Sequence, residues 1–177
     1  PIHTPSNCDE VVLIDPRGKK YGPRKPKDYL NNTIVWNQPY RPGKVVVIGY
    51  KGGKEVCRDS IRTSKPVATH YTLTPDRSTL KADGQDLSFI SLQLFDENGV
   101  PVRINDRMVT VRVEGDGRLM GIDSGEMRRE LRFDSHSLPT YFGKCQIVVQ
   151  AGRIKGTLKV IVQVEGLPEQ VLNIECL

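Results

Sequence analysis

Long apolar runs, helical periodicity and clustered metal ligands are all missing from this 177-residue chain. A helix that crosses a bilayer needs roughly 20 consecutive apolar residues. The longest apolar run here, residues 45–48, has the length of a strand, so no membrane partner is expected. Aromatic residues make up only 6% of the chain. Nucleic-acid surfaces combine a one-sided basic face with aromatics that stack on bases. The net charge of +5 comes from 26 basic and 21 acidic residues, interspersed except for basic crowding at 17–27 and 128–132. That pattern describes a solvated charged surface, and no nucleic-acid partner is expected.

The chemistry-bearing residues are equally sparse. The four cysteines, Cys8, Cys57, Cys145 and Cys176, are too scattered for a disulfide scaffold, and no pair has CxxC spacing. Cys145 falls in a strand pattern, where a buried thiol behaves as a small apolar residue. His3, His70 and His136 form no HxH or HxxxH pair, so no metal is expected. Gly115-Asp116-Gly117 follows a strand, but no helix follows it to hold an anion, so it reads as a loop between strands. Asp96 and Asn98 lack the twelve-residue loop ending in Glu that calcium binding needs. Glu114, Glu126 and Glu130 lie beside turns or among arginines, where solvated carboxylates belong. No GxSxG occurs, and Asn31-Asn32-Thr33 is a glycosylation sequon only in a secreted eukaryotic chain. These residues call for no catalytic site and no cofactor.

What the chain does have is period-two alternation. Ile90, Leu92 and Leu94 alternate with Ser91 and Gln93, and Asp96-Glu97-Asn98-Gly99 then reverses the chain. Val109, Val111 and Val113 repeat the pattern, as do Cys145, Ile147 and Val149, then Leu158, Val160, Val162 and Val164. Turn formers recur at Gly99, Gly115, Ser124-Gly125, Gly143 and Gly152. Antiparallel sandwiches of immunoglobulin type have this spacing, whereas a parallel sheet would need helices between its strands. The earlier part carries shorter strand candidates at 11–14, 33–36, 45–50 and 55–63, with Gly52-Gly53 as a hairpin turn. Thr63-Ser64-Lys65-Pro66 reads as a linker. The expectation is therefore all-β: two immunoglobulin-like antiparallel β-sandwich domains in tandem, a small module over 1–64 and a larger one over 65–177. The opening Pro1-Ile2-His3-Thr4-Pro5, with no initiator methionine or leader pattern, suggests an excised fragment and a small module truncated at its N-terminus.

Three ordered words in the first part support a family resemblance: Ser6-Asn7-Cys8-Asp9-Glu10-Val11-Val12-Leu13, Trp36-Asn37-Gln38-Pro39-Tyr40-Arg41-Pro42-Gly43, and the stretch from Val47 through Gly49-Tyr50-Lys51-Gly52-Gly53-Lys54-Glu55-Val56. They resemble the region that follows the catalytic barrel in bacterial family 2 glycoside hydrolases of β-galactosidase type. Leu73-Thr74-Pro75-Asp76-Arg77, Leu80-Lys81-Ala82-Asp83-Gly84, Asp96-Glu97-Asn98-Gly99-Val100-Pro101 and Gly121-Ile122-Asp123-Ser124-Gly125 are similar to the closing immunoglobulin-like domain of those enzymes. Two turns depart from the pattern. Ile14-Asp15-Pro16-Arg17-Gly18 stands where Leu-Asn-Gly is usual, and Ser124-Gly125-Glu126 where Asn-Gly-Asp is usual.

The resemblance implies accessory modules of a galactoside-cleaving enzyme whose catalytic glutamates lie upstream, outside this chain. It implies packing on the catalytic domain of the same polypeptide, or on a partner subunit if the parent is a homo-oligomer. A periplasmic or secreted location follows from the same likeness. Two other readings stay open. A carbohydrate-binding module would need exposed aromatics to stack on sugar; Tyr21, Tyr29, Trp36, Tyr40, Tyr141 and Phe142 are the candidates. Core packing suits Trp36 better, and Tyr141-Phe142 beside Gly143 is the favoured exposed pair. An adhesin- or invasin-type immunoglobulin-like domain would predict repeats of one module, and the two parts do not align with each other.

Overall fold

The computed structural model describes residues 1–128, 132 and 134–177. Contacts divide these into two compact units, Pro1–Thr63 and Ser64–Leu177. Fifteen strands and two short 3-10 turns make up the regular structure, with no α-helix among the described residues.

In the first unit, β1 (Ile2–Pro5), β2 (Glu10–Ile14), β3 (Lys20–Arg24), β4 (Thr33–Trp36), β5 (Lys44–Lys51) and β6 (Lys54–Arg62) form two sheets. β1 and β4 make a two-stranded sheet, and the other four make a sheet in the order β3-β2-β5-β6. Cys8, Val11, Leu13, Ile34 and Trp36 are the buried core between them. The strand candidates at 11–14, 33–36, 45–50 and 55–63 are present as β2, β4, β5 and β6; burial alternates along β2 and β4, whereas β6 is exposed throughout. β1 and β3 had no such candidate, because His3, Pro5 and the basic run at 17–27 interrupt any apolar repeat. β3 is nonetheless anchored: Arg24 lies 4.4 Å over the Trp36 ring and donates to the Val35 carbonyl at 3.0 Å.

The second unit is a fuller sandwich. β7 (His70–Pro75), β8 (Thr79–Leu80), β9 (Leu87–Phe95), β10 (Met108–Glu114), β11 (Gly117–Asp123), β12 (Ser137–Pro139), β13 (Lys144–Ala151), β14 (Gly156–Val164) and β15 (Gln170–Cys176) complete the chain. One sheet runs β11-β13-β9-β7 and the other β12-β10-β14-β15-β8. All pairs are antiparallel except β15 with the two-residue β8, which run parallel. Ile90, Leu92, Leu94, Ile147, Val149, Leu158, Val160, Val162 and Val164 are at most 1% exposed, so the predicted alternation points inward. The Tyr71 hydroxyl crosses between sheets, donating to the carbonyls of Val162 at 2.7 Å and Pro168 at 3.0 Å. Burial raises the pKa of that phenol.

Carboxylates fasten the turns. Asp96, 1% exposed, accepts the backbone N–H of Asn98 and Val100 at 2.9 Å each and that of Lys65 at 2.7 Å. Gly99 alone supplies the positive φ, at 69°, so the reversal uses one left-handed residue and a side-chain clamp. Asp76 accepts the Phe89 N–H at 2.8 Å and the hydroxyl of the buried Ser88 at 3.2 Å. The Phe89 N–H chiefly, with Ser88 and the Arg77 charge, holds its carboxyl below the usual range despite desolvation. A carboxyl whose folded pKa is depressed stabilises the fold above its unfolded pKa, and the contribution is lost as pH falls through the folded value. The urea midpoint of the second unit should therefore decline as pH drops below about 4. Asp76→Asn should flatten part of that decline, and urea titrations followed by circular dichroism at several pH values would measure it.

Candidate functional site

The aromatics considered for sugar stacking occupy very different settings. Trp36 is fully buried, and its indole N–H donates to the Thr4 hydroxyl at 3.1 Å. Tyr21 and Tyr29 pack partly buried against the same core. Tyr141 and Phe142 do come together: their ring centroids are 4.4 Å apart with a 57° tilt, and Phe142 is 50% exposed. Phe142 sits at φ 50° in the tight connection to β13, where Tyr141 pairs with Lys144. One carboxylate, Asp106, sets the connection by accepting the Gly143 N–H and the Thr140 hydroxyl at 3.1 Å each.

The other polar candidates are used structurally. Asp116 in the β10–β11 turn accepts the backbone N–H of Ile154. Glu114 pairs with Arg112 at 3.8 Å, and Glu126 accepts the Arg128 N–H at 3.1 Å. Glu130 lies outside the described residues. His70 stacks on Phe95 at 5.5 Å, and His3 and His136 are exposed. No group of three or more His, Cys, Asp or Glu gathers among the described residues. Burial pushes the Cys145 thiol up to about 12, which leaves it protonated and inert at neutral pH.

One apolar surface feature was not expected. In the first unit the core-facing side of β5 and β6 extends past the cover that β1 provides. There it forms an apolar groove of about 400 Å³ lined by Ile2, Leu13, Pro39, Tyr40, Val45 and Ile61 among others. A second groove of about 280 Å³ shares Ile2, Val45 and Ile61 and continues toward Val47 and Cys57. Tyr40 is 79% and Ile61 64% exposed, and every residue of β6 is solvent-exposed. At the groove's polar end Asp15 accepts the backbone N–H of Arg17 and Lys19, at 2.9 Å each, and the Tyr21 hydroxyl at 3.2 Å. Desolvation pushes its pKa up, but the Lys19 and Arg17 N–H groups, the Tyr21 hydroxyl and the Arg41 charge together bring it below the usual range. The Nη1 of Arg41 is buried and has no hydrogen-bond partner among the described residues.

Residues 72–173 match the family described as glycoside hydrolase family 2 C-terminal domain 5, and residues 1–57 match a domain of unknown function, DUF4982. The chain belongs to the glycoside hydrolase family 2 C-terminal domain 5 family. A β-galactosidase from Bacteroides ovatus is 36% identical over 169 residues, which is 96% of this chain and 20% of that protein. A family 2 member from Bacteroides cellulosilyticus superposes with a TM-score of 0.91 at 29% identity, covering 97% of this chain and 22% of that one. A β-glycosidase from Bacteroides vulgatus gives 0.83 at 28% identity over 96% of this chain and 21% of its own. The chain thus spans about a fifth of the length of each of these three relatives.

The groove is not legible in the sequence because it joins a bend at 39–43, where Tyr40 was only one of six candidate aromatics, to strand residues such as Val45 and Ile61. A signal was present in Tyr40, set between Pro39 and Pro42, and in Ile61 on a strand otherwise rich in charge. Burial separates the aromatics in a measurable way. Trp36→Ala should cost about 3–5 kcal/mol through cavity formation and the lost core contact. Tyr40→Ala should stay within about 0.5 kcal/mol in this chain. Urea unfolding would give the Tyr40→Ala number, and loss of the first unit's unfolding transition in Trp36→Ala would register the larger cost.

Proposed function

We propose that this chain is a non-catalytic accessory region of a family 2 glycoside hydrolase, whose two β-sandwich units pack on the catalytic domain of the same polypeptide. What carries the reading is the asymmetry of coverage: 96% of the chain aligns with a β-galactosidase of which it represents 20%. The apolar groove on the first unit supports it, since apolar area of this kind on a 63-residue unit is stabilised by a covering surface. The parent enzyme hydrolyses β-galactosides in carbohydrate metabolism, from a periplasmic or secreted location. Among the described residues Asp15, Asp76, Asp96, Asp106 and Asp116 serve backbone turns, and the catalytic carboxylates reside in the region that packs against this chain.

A second reading, carbohydrate binding, draws on the half-exposed Tyr141-Phe142 pair. Titrating the chain with simple galactosides and β-linked galactan oligosaccharides, while following tyrosine and tryptophan fluorescence and hydrolysis, separates the readings. Neither saturable change nor turnover is expected. Saturable binding that is lost in Phe142→Ala would replace the packing role with a sugar-binding one. Turnover by the purified chain would overturn both.

A further inference from the structure

β5 reads Lys-Val-Val-Val-Ile-Gly-Tyr-Lys, and its glycine is out of place among β-branched residues. Glycine weakens a strand, so one in a strand interior needs a local reason such as close approach by another group. Gly49 does not need left-handed backbone, because its φ lies outside that region. The reason is space. A Cβ at Gly49 would lie 2.5 Å from the Cys8 sulfur and 2.6 Å from the Cys57 sulfur. The missing side chain leaves a slot in which the two sulfurs meet, 3.6 Å apart.

Both cysteines are held by rigid neighbours. Cys57 is the direct cross-strand partner of Gly49 in the β5–β6 ladder. Cys8 donates its N–H to the Ser6 hydroxyl at 3.1 Å, and the next residue, Asp9, donates to the Tyr50 carbonyl at 2.9 Å. Among the described residues no cluster with a third metal-ligating side chain includes them. Cys8 is buried, while Cys57 is exposed and lines the smaller apolar groove, so a soluble oxidant reaches the pair from one side.

We propose that Cys8 and Cys57 are a disulfide site that staples the entry to β2 onto the edge strand β6. A disulfide needs a sulfur–sulfur separation of about 2.05 Å, so the sulfurs must close by about 1.5 Å, within reach of small side-chain rotations. The oxidant is an external disulfide. The Cys57 thiolate attacks one of its sulfurs, forms a mixed disulfide and expels one thiolate. The Cys8 thiolate then attacks the Cys57 sulfur, closes the ring and expels the second. Two S–H bonds and one external S–S bond are broken; one internal S–S bond and two external thiols are formed. The two cysteines lose two electrons and two protons, and the external disulfide takes them up. The cross-link joins positions 49 residues apart in a unit whose buried core is five residues, where restricting the unfolded chain has a large effect.

The test uses the 177-residue chain, reduced and then incubated with oxidised glutathione. Denaturation, maleimide labelling and intact mass follow. Two of the four cysteines should label, with a loss of two hydrogens, and a peptide map should join Cys8 to Cys57. The melting temperature should rise by about 10 °C or more over the reduced chain. Cys57→Ser changes an exposed side chain and so should fold; it should label at all three remaining cysteines and lose the thermal gain. Four labelled cysteines after oxidation would overturn the proposal. So would a glutathione adduct that persists on Cys57, or a bond to Cys145 or Cys176.

Discussion

A β-sheet with an apolar face must have that face covered, and the two units meet this constraint very differently. In Ser64–Leu177 a four-stranded sheet lies against a five-stranded one, and 21 of the described side chains form the core cluster. In Pro1–Thr63 a four-stranded sheet is covered by only two strands, β1 and β4, and the core cluster holds five buried side chains. Trp36 supplies the largest of the five and is held from above by Arg24 and at its edge by Thr4. Everything distinctive about the first unit follows from that shortage of cover. The groove beside β1, the fully exposed β6 and the half-buried Val45 and Val47 are the uncovered remainder of one sheet face.

A core of this size is marginal for a chain of about 60 residues, since a single core in so short a unit rarely supplies more than about 3–5 kcal/mol. Two kinds of support fit the surface. One is a neighbouring domain seated on the apolar groove, which suits a chain that spans a fifth of family 2 relatives. The other is covalent: two sulfurs share the slot left by Gly49, beside the edge strand β6. They are compatible, because the sulfurs lie toward Gly49 while Tyr40 and Pro39 line the larger groove.

Much of the fold was legible in the sequence because burial on one face forces period-two alternation. β9, β10, β13 and β14 could be read directly, from residues such as Leu92, Val111, Ile147 and Val160. Strands without an apolar repeat could not be read. β1 has His3 and Pro5 in the way, and β3 is fixed by the Arg24–Trp36 stack, a contact between residues far apart in sequence. The parallel β8–β15 pair was equally hidden, since two residues carry no period. The likeness to family 2 glycoside hydrolases rested on short ordered words and reached farther than the periodicity did. Tyr141 and Phe142 were legible as an adjacent pair, but their geometry depends on Asp106, which is distant in sequence. The sulfur contact was not legible either, because cysteines 49 positions apart meet only once β2, β5 and β6 are in register.

The central claim is that the apolar side of β5 and β6 is covered in the longer polypeptide. Amide hydrogen exchange, read by mass spectrometry over the peptide spanning β6, tests it most directly. It should be measured in this chain alone and in the same chain joined to the catalytic domain of the proposed family 2 parent. Exchange slowed at least tenfold in the joined protein is the expected result. Equal exchange in the two would mean that nothing covers this face, and the packing role would have to be abandoned.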